Sequence, residues 1–264
     1  MPPSTAPKYN LTVLISGTGT NLSALIAACA PSAPLHSARI GRVVSSSKHA
    51  GGLLRAERAQ PPIKTSVCSM AGWRAKRAAS RAGGEPSLSG LQGEGDVKVQ
   101  AQGLGGAEDA DNGAGKEADG AKREADDRAG YDADLAKLVL ADSPDLVVCA
   151  GWMRVLSPAF LEPVAAAGVA VVNLHPALPG QFNGTHAIER AHKAWQAGEI
   201  DRTGVMVHYV VAEVDMGEPI LVEEIPFVAG EDETLERFEQ KVHEREWKVI
   251  VEGTRMALER VGTK

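Results

Sequence analysis

Apolar runs alternate along the chain with stretches that have a helical period. Leu11–Ile15 (LTVLI) and Asp145–Gly151 (DLVVCAG) are apolar almost throughout, which is typical of strands buried on both faces of a parallel sheet. From Tyr131 onward, apolar residues recur at i, i+4, i+7 and i+8, a pattern that predicts an amphipathic helix. The alternation predicts an α/β fold: an open, mainly parallel, twisted sheet with helices on both faces.

The same patterns give expected bounds for the elements. Strands are predicted at residues 11–15, 39–45, 63–67, 145–151, 168–175, 203–214 and 219–227. Helices are predicted at residues 21–29, 50–59, 158–167, 185–198 and 231–260, and from residue 131. Asn21 is the expected N-cap of the first helix, because its side-chain oxygen can accept a free backbone N–H. In such a sheet, ligands bind beyond the carboxyl ends of the strands, where the strand order reverses.

One segment breaks this pattern. Gly83–Asp127 contains eleven glycines, eleven acidic and four basic residues, and its apolar residues are sparse and aperiodic. Such a stretch buries too little apolar surface to offset the entropy lost on ordering. We therefore predict a single domain, residues 8–264, interrupted by a disordered insertion at about 83–127. Because of the insertion, the sequence does not decide whether Ala71–Arg81 forms a helix.

Charge and cysteine content narrow the class of protein. The formal charge is −6 over 264 residues, but the insertion carries −7, so the rest of the chain is nearly neutral. A nucleic-acid footprint is therefore not expected. Cys29, Cys68 and Cys149 are far apart and have no metal-ligand spacing, which indicates reduced thiols. With no signal peptide or membrane span in the sequence, a cytoplasmic protein is expected.

A glycine-rich turn follows the first predicted strand. Gly17 and Gly19 let the backbone approach a ligand, and the helix start after them offers free N–H groups that suit a phosphate. Leu22 stands where a dinucleotide-binding loop needs its third glycine, so NAD is not expected. The alternative is a tight strand-to-helix turn without a ligand.

The segment VVNLHPALPG places polar residues on a buried strand. Asn173 and His175 are two positions apart and therefore share one face of the strand. A polar pair there is costly unless it is used, and together the two side chains can donate to a carbonyl oxygen. Asp215 lies in a later turn (EVDMGEPI) and could raise the pKa of a neighbouring imidazole. Taken singly, His175 could instead cap its strand, and Asp215 could serve its turn.

In this order, the motifs LISGTGTNL, CAGWMRVLSP, NLHPALPG and EVDMGEPI resemble the phosphoribosylglycinamide formyltransferase family, in its fungal monofunctional form. The resemblance implies the formyltransferase fold with a Rossmann-like N-terminal half. It implies transfer of a formyl group from 10-formyltetrahydrofolate to the primary amine of glycinamide ribonucleotide in purine synthesis. The implied partners are these small molecules, without metal, NAD, nucleic acid or membrane. The sequence does not specify an oligomeric state.

The resemblance also implies roles for individual residues. The catalytic residues would be Asn173, His175 and Asp215. The ribonucleotide would be bound by Gly19, Thr20, Asn21 and Glu246. The folate would be bound by Arg128, Met153, Arg154, Val155, Leu156, Asn173, Val211, Val214 and Asp215. Metal ligands are not expected.

Three other functions compete with this hypothesis. A methionyl-tRNA formyltransferase would need an additional C-terminal domain and a basic surface. A formyltetrahydrofolate hydrolase usually carries an N-terminal regulatory domain, and about ten residues precede the first strand here. A nucleotide-binding scaffold protein would not need the combination of Asn173, His175 and Asp215.

Overall fold

The computed structural model describes residues 7–81 and 113–262, with side chains from residue 120 onward in the second range. Its strands are β1 (Tyr9–Ile15), β2 (Ala38–Ser45), β3 (Lys64–Val67), β4 (Leu146–Cys149), β5 (Ala170–His175), β6 (Arg202–Tyr209) and β7 (Pro219–Pro226). Its helices are α1 (Thr20–Ala28), α2 (Gly51–Glu57), α3 (Met70–Arg81), α4 (Gly113–Leu140), α5 (Pro158–Ala166), α6 (Ala187–Gln196) and α7 (Leu235–Val261). None of the helices in this part of the chain combines the length and apolar character needed to cross a bilayer.

All seven strands form one sheet in the order β3-β2-β1-β4-β5-β6-β7. The pairs from β3 to β5 are parallel, whereas β5 pairs with β6 and β6 with β7 in antiparallel fashion. The predicted open, mainly parallel α/β sheet is confirmed. Because the chain first runs outward from β1 to β3 and then returns to β4, the strand order reverses between β1 and β4. A crevice forms there, at the carboxyl ends of the strands.

Helices cover both faces of the sheet, and each face has its own apolar core. On one face, Leu11 of β1, Leu25 of α1 and Phe238 of α7 belong to one apolar core and are fully buried. On the other face, α4 and α5 contribute Tyr131 and Phe160, which are also fully buried. The two apolar cores are densely packed, one on each face of the sheet, and they hold the strands that border the crevice in place.

The last third of the predicted insertion differs from the expectation. The backbone is helical from Gly113, so residues 113–127 belong to α4 and the prediction of disorder is wrong for them. The Ala, Glu, Lys and Arg residues of this stretch favour a helix, and the buried turns after Tyr131 provide the anchor from which it can extend. An ion pair of 2.8 Å between Arg74 on α3 and Asp127 adds a contact. Residues 83–112 lie outside the described residues, and the single-domain organisation stays a prediction.

Candidate active site

A cavity of about 350 Å³ lies at the carboxyl ends of β1, β4 and β5. Its walls come from the turn after β1, the segment after β4, the end of β5, residues 184–188 at the start of α6, the 208–215 region and α7. The predicted site residues that line it are Gly19, Thr20, Asn21, Met153, Arg154, Val155, Leu156, Asn173, His175, Val211, Val214, Asp215 and Glu246. The structure thus brings together residues that are up to 227 positions apart in the chain.

Asn173, His175 and Asp215 form one cluster, in which His175 is buried and the other two are half-buried. The Nδ1 atom of His175 lies 3.4 Å from Oδ2 of Asp215. The Nδ2 atom of Asn173 donates to Oδ1 of the same carboxylate over 3.4 Å. The sequence hypothesis required an amide, an imidazole and a carboxylate to converge, and these distances show that they do. The other ring nitrogen of His175, Nε2, is buried and has no hydrogen-bond partner among the described residues.

Opposing effects act on the pKa of His175. Burial lowers its pKa, the charge of Asp215 raises it, and the charge of His208 lowers it. The carbonyls of Gln181 and Phe182 also raise it, but the net pKa is below the ordinary 6.5. Asp215 was expected to raise the pKa of a neighbouring imidazole, and it acts on His175 in that direction. The structure nevertheless indicates a neutral imidazole at neutral pH, because desolvation of the cation outweighs the carboxylate.

Asp215 is held in place by a tight turn. Its φ is +57°, in the left-handed region, and the Gly184 N–H donates to its Oδ2 over 2.8 Å. Two residues later, a Cβ on Gly217 would lie 1.6 Å from the carbonyl oxygen of Tyr209. Glycine is therefore required at 217 for this turn to pack against the end of β6.

Burial and hydrogen bonding oppose each other at Asp215. Burial acts to raise the pKa of its carboxyl, whereas the contact from His208, the Gly184 N–H and the charges of the two histidines lower it. The net shift is downward. The carboxylate is therefore ionised at neutral pH although its side chain is only 9% exposed.

His208 is a site residue that the sequence analysis missed. It lies on β6 directly opposite Asn173 on β5, and it is 2% exposed. Its Nε2 atom is 3.2 Å from Nδ2 of Asn173 and 3.5 Å from Oδ1 of Asp215, while its Nδ1 atom is 2.9 Å from the Tyr209 carbonyl. A histidine within the apolar run GVMVHYVV was the available signal, because a buried polar residue needs partners.

The turn after β1 presents the start of α1 to the cavity. Gly19 is the N-cap, with φ +76°, and a Cβ there would lie 2.5 Å from Cα of Gly52 on α2. The expected cap, Asn21, instead lies inside the first turn of the helix, so that prediction is wrong. No described side chain caps the helix, and its first turn has no acidic residue. Its N–H groups and positive dipole end are therefore available to an anion.

Glu246 lies beside this turn. It projects from α7, is 7% exposed, and has Nε2 of His243 3.8 Å from its Oε2. Burial raises the pKa of its carboxyl to about 7, and a hydrogen bond from the side chain of Asn21 acts in the opposite direction. Near neutral pH, Glu246 can therefore either accept or donate a hydrogen bond.

The segment after β4 forms the apolar rim of the cavity. Met153 is 73% exposed, and its N–H donates to Oγ of Ser16 over 2.9 Å. At the other end of the segment, the Ser157 N–H donates to Oδ2 of the buried Asp132 over 2.9 Å. With both ends fixed, the residues between them can present backbone and apolar groups to a flat ligand.

Arg128 is not brought to the cavity. It lies on α4, is exposed, and is not among the residues that line the walls. Its proposed folate contact depended on an alignment next to the insertion, where a shift of a few residues changes the helix face. Arg154 does line the cavity, and its guanidinium lies 4.7 Å from the ring centroid of Tyr131.

Within residues 7–81 and 113–262, no group of three or more His, Cys, Asp or Glu side chains is arranged to hold a metal. The expectation of a metal-free site stays a prediction.

Comparison with known proteins gives a consistent picture. A family model described as "Formyl transferase" matches residues 9–87 and 97–254. The phosphoribosylglycinamide formyltransferase of Saccharomyces cerevisiae is 40% identical over 95% of this chain and 98% of its own length. The enzyme of that name from Schizosaccharomyces pombe is 37% identical over 92% of this chain and 94% of its own.

Comparison with solved structures indicates the same family. The glycinamide ribonucleotide transformylase 1 of Symbiobacterium toebii matches with a TM-score of 0.63 and 25% identity, over 95% of this chain and 88% of that one. The chain belongs to the formyl transferase family and, within it, to the phosphoribosylglycinamide formyltransferases.

Proposed function

We propose that this protein transfers the formyl group of 10-formyltetrahydrofolate to the primary amine of glycinamide ribonucleotide, a step of purine synthesis. Full-length relatives carry the name of this activity. The observation that carries the proposal is the 3.4 Å contact between His175 and Asp215 in the wall of a cavity that also contains the start of α1. One cavity thus offers an acid–base pair and an anion site.

The two substrates would enter from opposite ends of the cavity. The phosphate of the ribonucleotide would accept hydrogen bonds from the N–H groups at Gly19, Thr20 and Asn21, where the helix dipole favours an anion. Glu246, next to Asn21, would bind the glycinamide end. The folate would lie against the rim formed by residues 153–156, with Val211 and Val214 on the other side; the latter two are 39% and 40% exposed.

The reaction needs a neutral amine and a base. The amine nitrogen bonds to the formyl carbon while the carbonyl electron pair moves to oxygen, and Nε2 of His175 takes a proton from that nitrogen. The resulting imidazolium, next to ionised Asp215, then donates to the oxyanion. Donors of this kind contribute about 2.7–4 kcal/mol each. When the intermediate collapses, the bond to the folate nitrogen breaks and that nitrogen takes the proton from the imidazolium, which regenerates neutral His175.

Asn173 would be the second donor to the oxyanion. Its Nδ2 atom faces His208 and Asp215 in the structure, so this role requires the amide to turn toward the cavity when substrate binds. Alignment of the two substrates in one cavity would contribute a further large share of the rate.

The three cysteines are free, which supports a reducing compartment such as the cytosol.

An acceptor comparison tests the proposal. The protein is given 10-formyltetrahydrofolate with glycinamide ribonucleotide, with methionyl-tRNA or with water alone, and loss of the donor is followed. We expect rapid, saturable transfer to the ribonucleotide and slow loss in the other two reactions. Faster transfer to tRNA, or hydrolysis that the ribonucleotide does not accelerate, would overturn the assignment.

A further inference from the structure

The loop between β5 and α6, residues 176–186, has an unusual backbone. Gly180, Phe182, Gly184 and His186 have φ values of +75°, +48°, +84° and +57°. Glycine adopts such values freely, but Phe182 and His186 do so at a cost. A conformation of this kind persists when the surrounding structure enforces it.

The same loop holds two side chains of the proposed reacting centre. The backbone groups of Gln181 and Phe182 act on the ring of His175 and raise its pKa. The Gly184 N–H donates to Asp215, and Nδ2 of Asn183 lies 3.4 Å from the carbonyl oxygen of Val214. The backbone of the 176–186 loop therefore sets the orientation of the imidazole and the carboxylate relative to each other.

The first turns of α6 hold this loop. Nη2 of Arg190 donates to the carbonyl oxygens of Phe182 and Asn183, the latter over 2.7 Å. The guanidinium also lies 5.9 Å from the ring centroid of Phe182. One residue earlier, Oε1 of Glu189 lies 2.9 Å from Nδ1 of His186. A charged donor that binds two neighbouring carbonyls fixes the backbone between them more firmly than a neutral donor would.

We propose that Arg190 is a positioning residue for formyl transfer: through the carbonyls of Phe182 and Asn183 it holds the 176–186 loop in the conformation that orients His175 and Asp215. The inference rests on the proposed function for its effect on turnover. Its effect on the His175 ring does not depend on that function. Arg190 itself does not line the cavity and would not touch either substrate.

Loss of Arg190 should change the titration of His175. The groups that face its ring are the carboxylate of Asp215, the imidazole of His208 and the carbonyls of Gln181 and Phe182. The carbonyls raise the pKa of His175, so a loop that moves away from the ring removes a contribution that favours the cation. The pKa of His175 should then fall further.

The experiment compares Arg190→Met with Arg190→Lys, and with Lys193→Met as a control on the exposed side of the same helix. Methionine keeps the aliphatic stem without the donors, and lysine keeps a charge that lacks the planar guanidinium geometry. We would measure kcat, KM for both substrates, thermal unfolding, and the His175 pKa by NMR in the protein without substrates.

We expect Arg190→Met to lower kcat about tenfold or more, with both KM values within about twofold of the wild type, because misorientation affects the transition state more than binding. The NMR pKa of His175 should fall in this variant, less so in Arg190→Lys, and not in Lys193→Met. Should Arg190→Met not fold, the same comparison is made with Arg190→Lys.

Two outcomes would overturn the inference. One is an unchanged His175 pKa and kcat in a folded Arg190 variant. The other is a loss that Lys193→Met reproduces. If the wild type fails to transfer formyl groups while the His175 pKa still responds to Arg190, the proposed function is wrong and only the role of Arg190 in positioning the His175 ring stands.

Discussion

The two ends of the cavity each contain a buried carboxylic acid, and the two acids have opposite character. Asp215 is 9% exposed in its side chain and has a lowered pKa. Glu246 also is 9% exposed in its side chain, and its pKa is raised to about 7. Burial acts in the same direction on both.

The difference lies in their donors. Asp215 has the Gly184 N–H at 2.8 Å, two histidines within 3.5 Å and the amide of Asn173 at 3.4 Å. Glu246 has a side-chain hydrogen bond from Asn21, which acts to lower its pKa but does not offset the effect of burial. Hydrogen bonds to the charged form therefore decide which buried acid stays ionised. One end of the cavity is built around a fixed negative charge, whereas the other can change its charge near neutral pH.

Removing the imidazole tests the Asp215 end most severely. His175→Ala deletes the proposed base and the oxyanion donor together, so we expect kcat to fall by about three orders of magnitude while the protein still folds. The measurement is single-turnover formyl transfer, with circular dichroism as a check of folding. Turnover near that of the wild type would remove His175 from the mechanism.

Neutralising the fixed charge should have a smaller effect. In Asp215→Asn the imidazolium loses its counter-ion, so we expect kcat to fall by about two orders of magnitude. The pH at which His175 titrates should also decrease. Glu218→Gln is the matched control, because Glu218 lies three residues on in the same turn and is exposed. A pH–rate profile like that of the wild type would show that Asp215 does not act through His175.

The turn that supports Asp215 can be tested without changing a charge. A Cβ at Gly217 would lie 1.6 Å from the Tyr209 carbonyl oxygen, so Gly217→Ala must displace the turn and Asp215 with it. We expect kcat to fall about tenfold or more, with a lower melting temperature. Gly120→Ala is a suitable comparison, because neither glycine has a positive φ and open space surrounds Gly120. Equal effects in both variants would mean that the approach to Tyr209 is not what requires Gly217.

The Glu246 end should show the smallest effects. Because its folded pKa is raised, its contribution to stability is full below pH 4.5 and is lost as the pH rises through about 7. Glu246→Gln should therefore raise the free energy of unfolding at pH 8 by about 1–3 kcal/mol, while KM for the ribonucleotide rises about tenfold. Denaturant unfolding at pH 5 and pH 8 checks this, with the exposed Glu244→Gln as control. A constant difference between the two pH values would show that Glu246 does not titrate as described.

Much of the fold followed from local patterns. The bounds of β1, β4 and β5 were predicted to within two residues because buried parallel strands are apolar throughout. The antiparallel pairing of β6 and β7 was not predicted, because the direction in which a strand joins the sheet depends on the path of the segment that precedes it. The helix over residues 113–127 was missed because composition suggested disorder, whereas a folded anchor after Tyr131 decides the outcome.

The site was predictable where a motif stands on its own. Asn173, His175 and Asp215 were named from the sequence, but their contact and the net direction of the His175 pKa depend on burial that no pattern reveals. His208 was missed because it lies in an apolar strand, and its role follows from pairing with Asn173. Arg128 was misplaced because the helix face at the insertion depends on the exact register.

The most direct test of the contrast between the two acids is a ¹³C NMR titration of the Asp215 and Glu246 carboxyl groups, assigned with Asp215→Asn and Glu246→Gln. We predict that Asp215 titrates below the ordinary value of 3.8 and Glu246 at about 7. Titration of both groups near their ordinary values, or Asp215 above Glu246, would contradict the account.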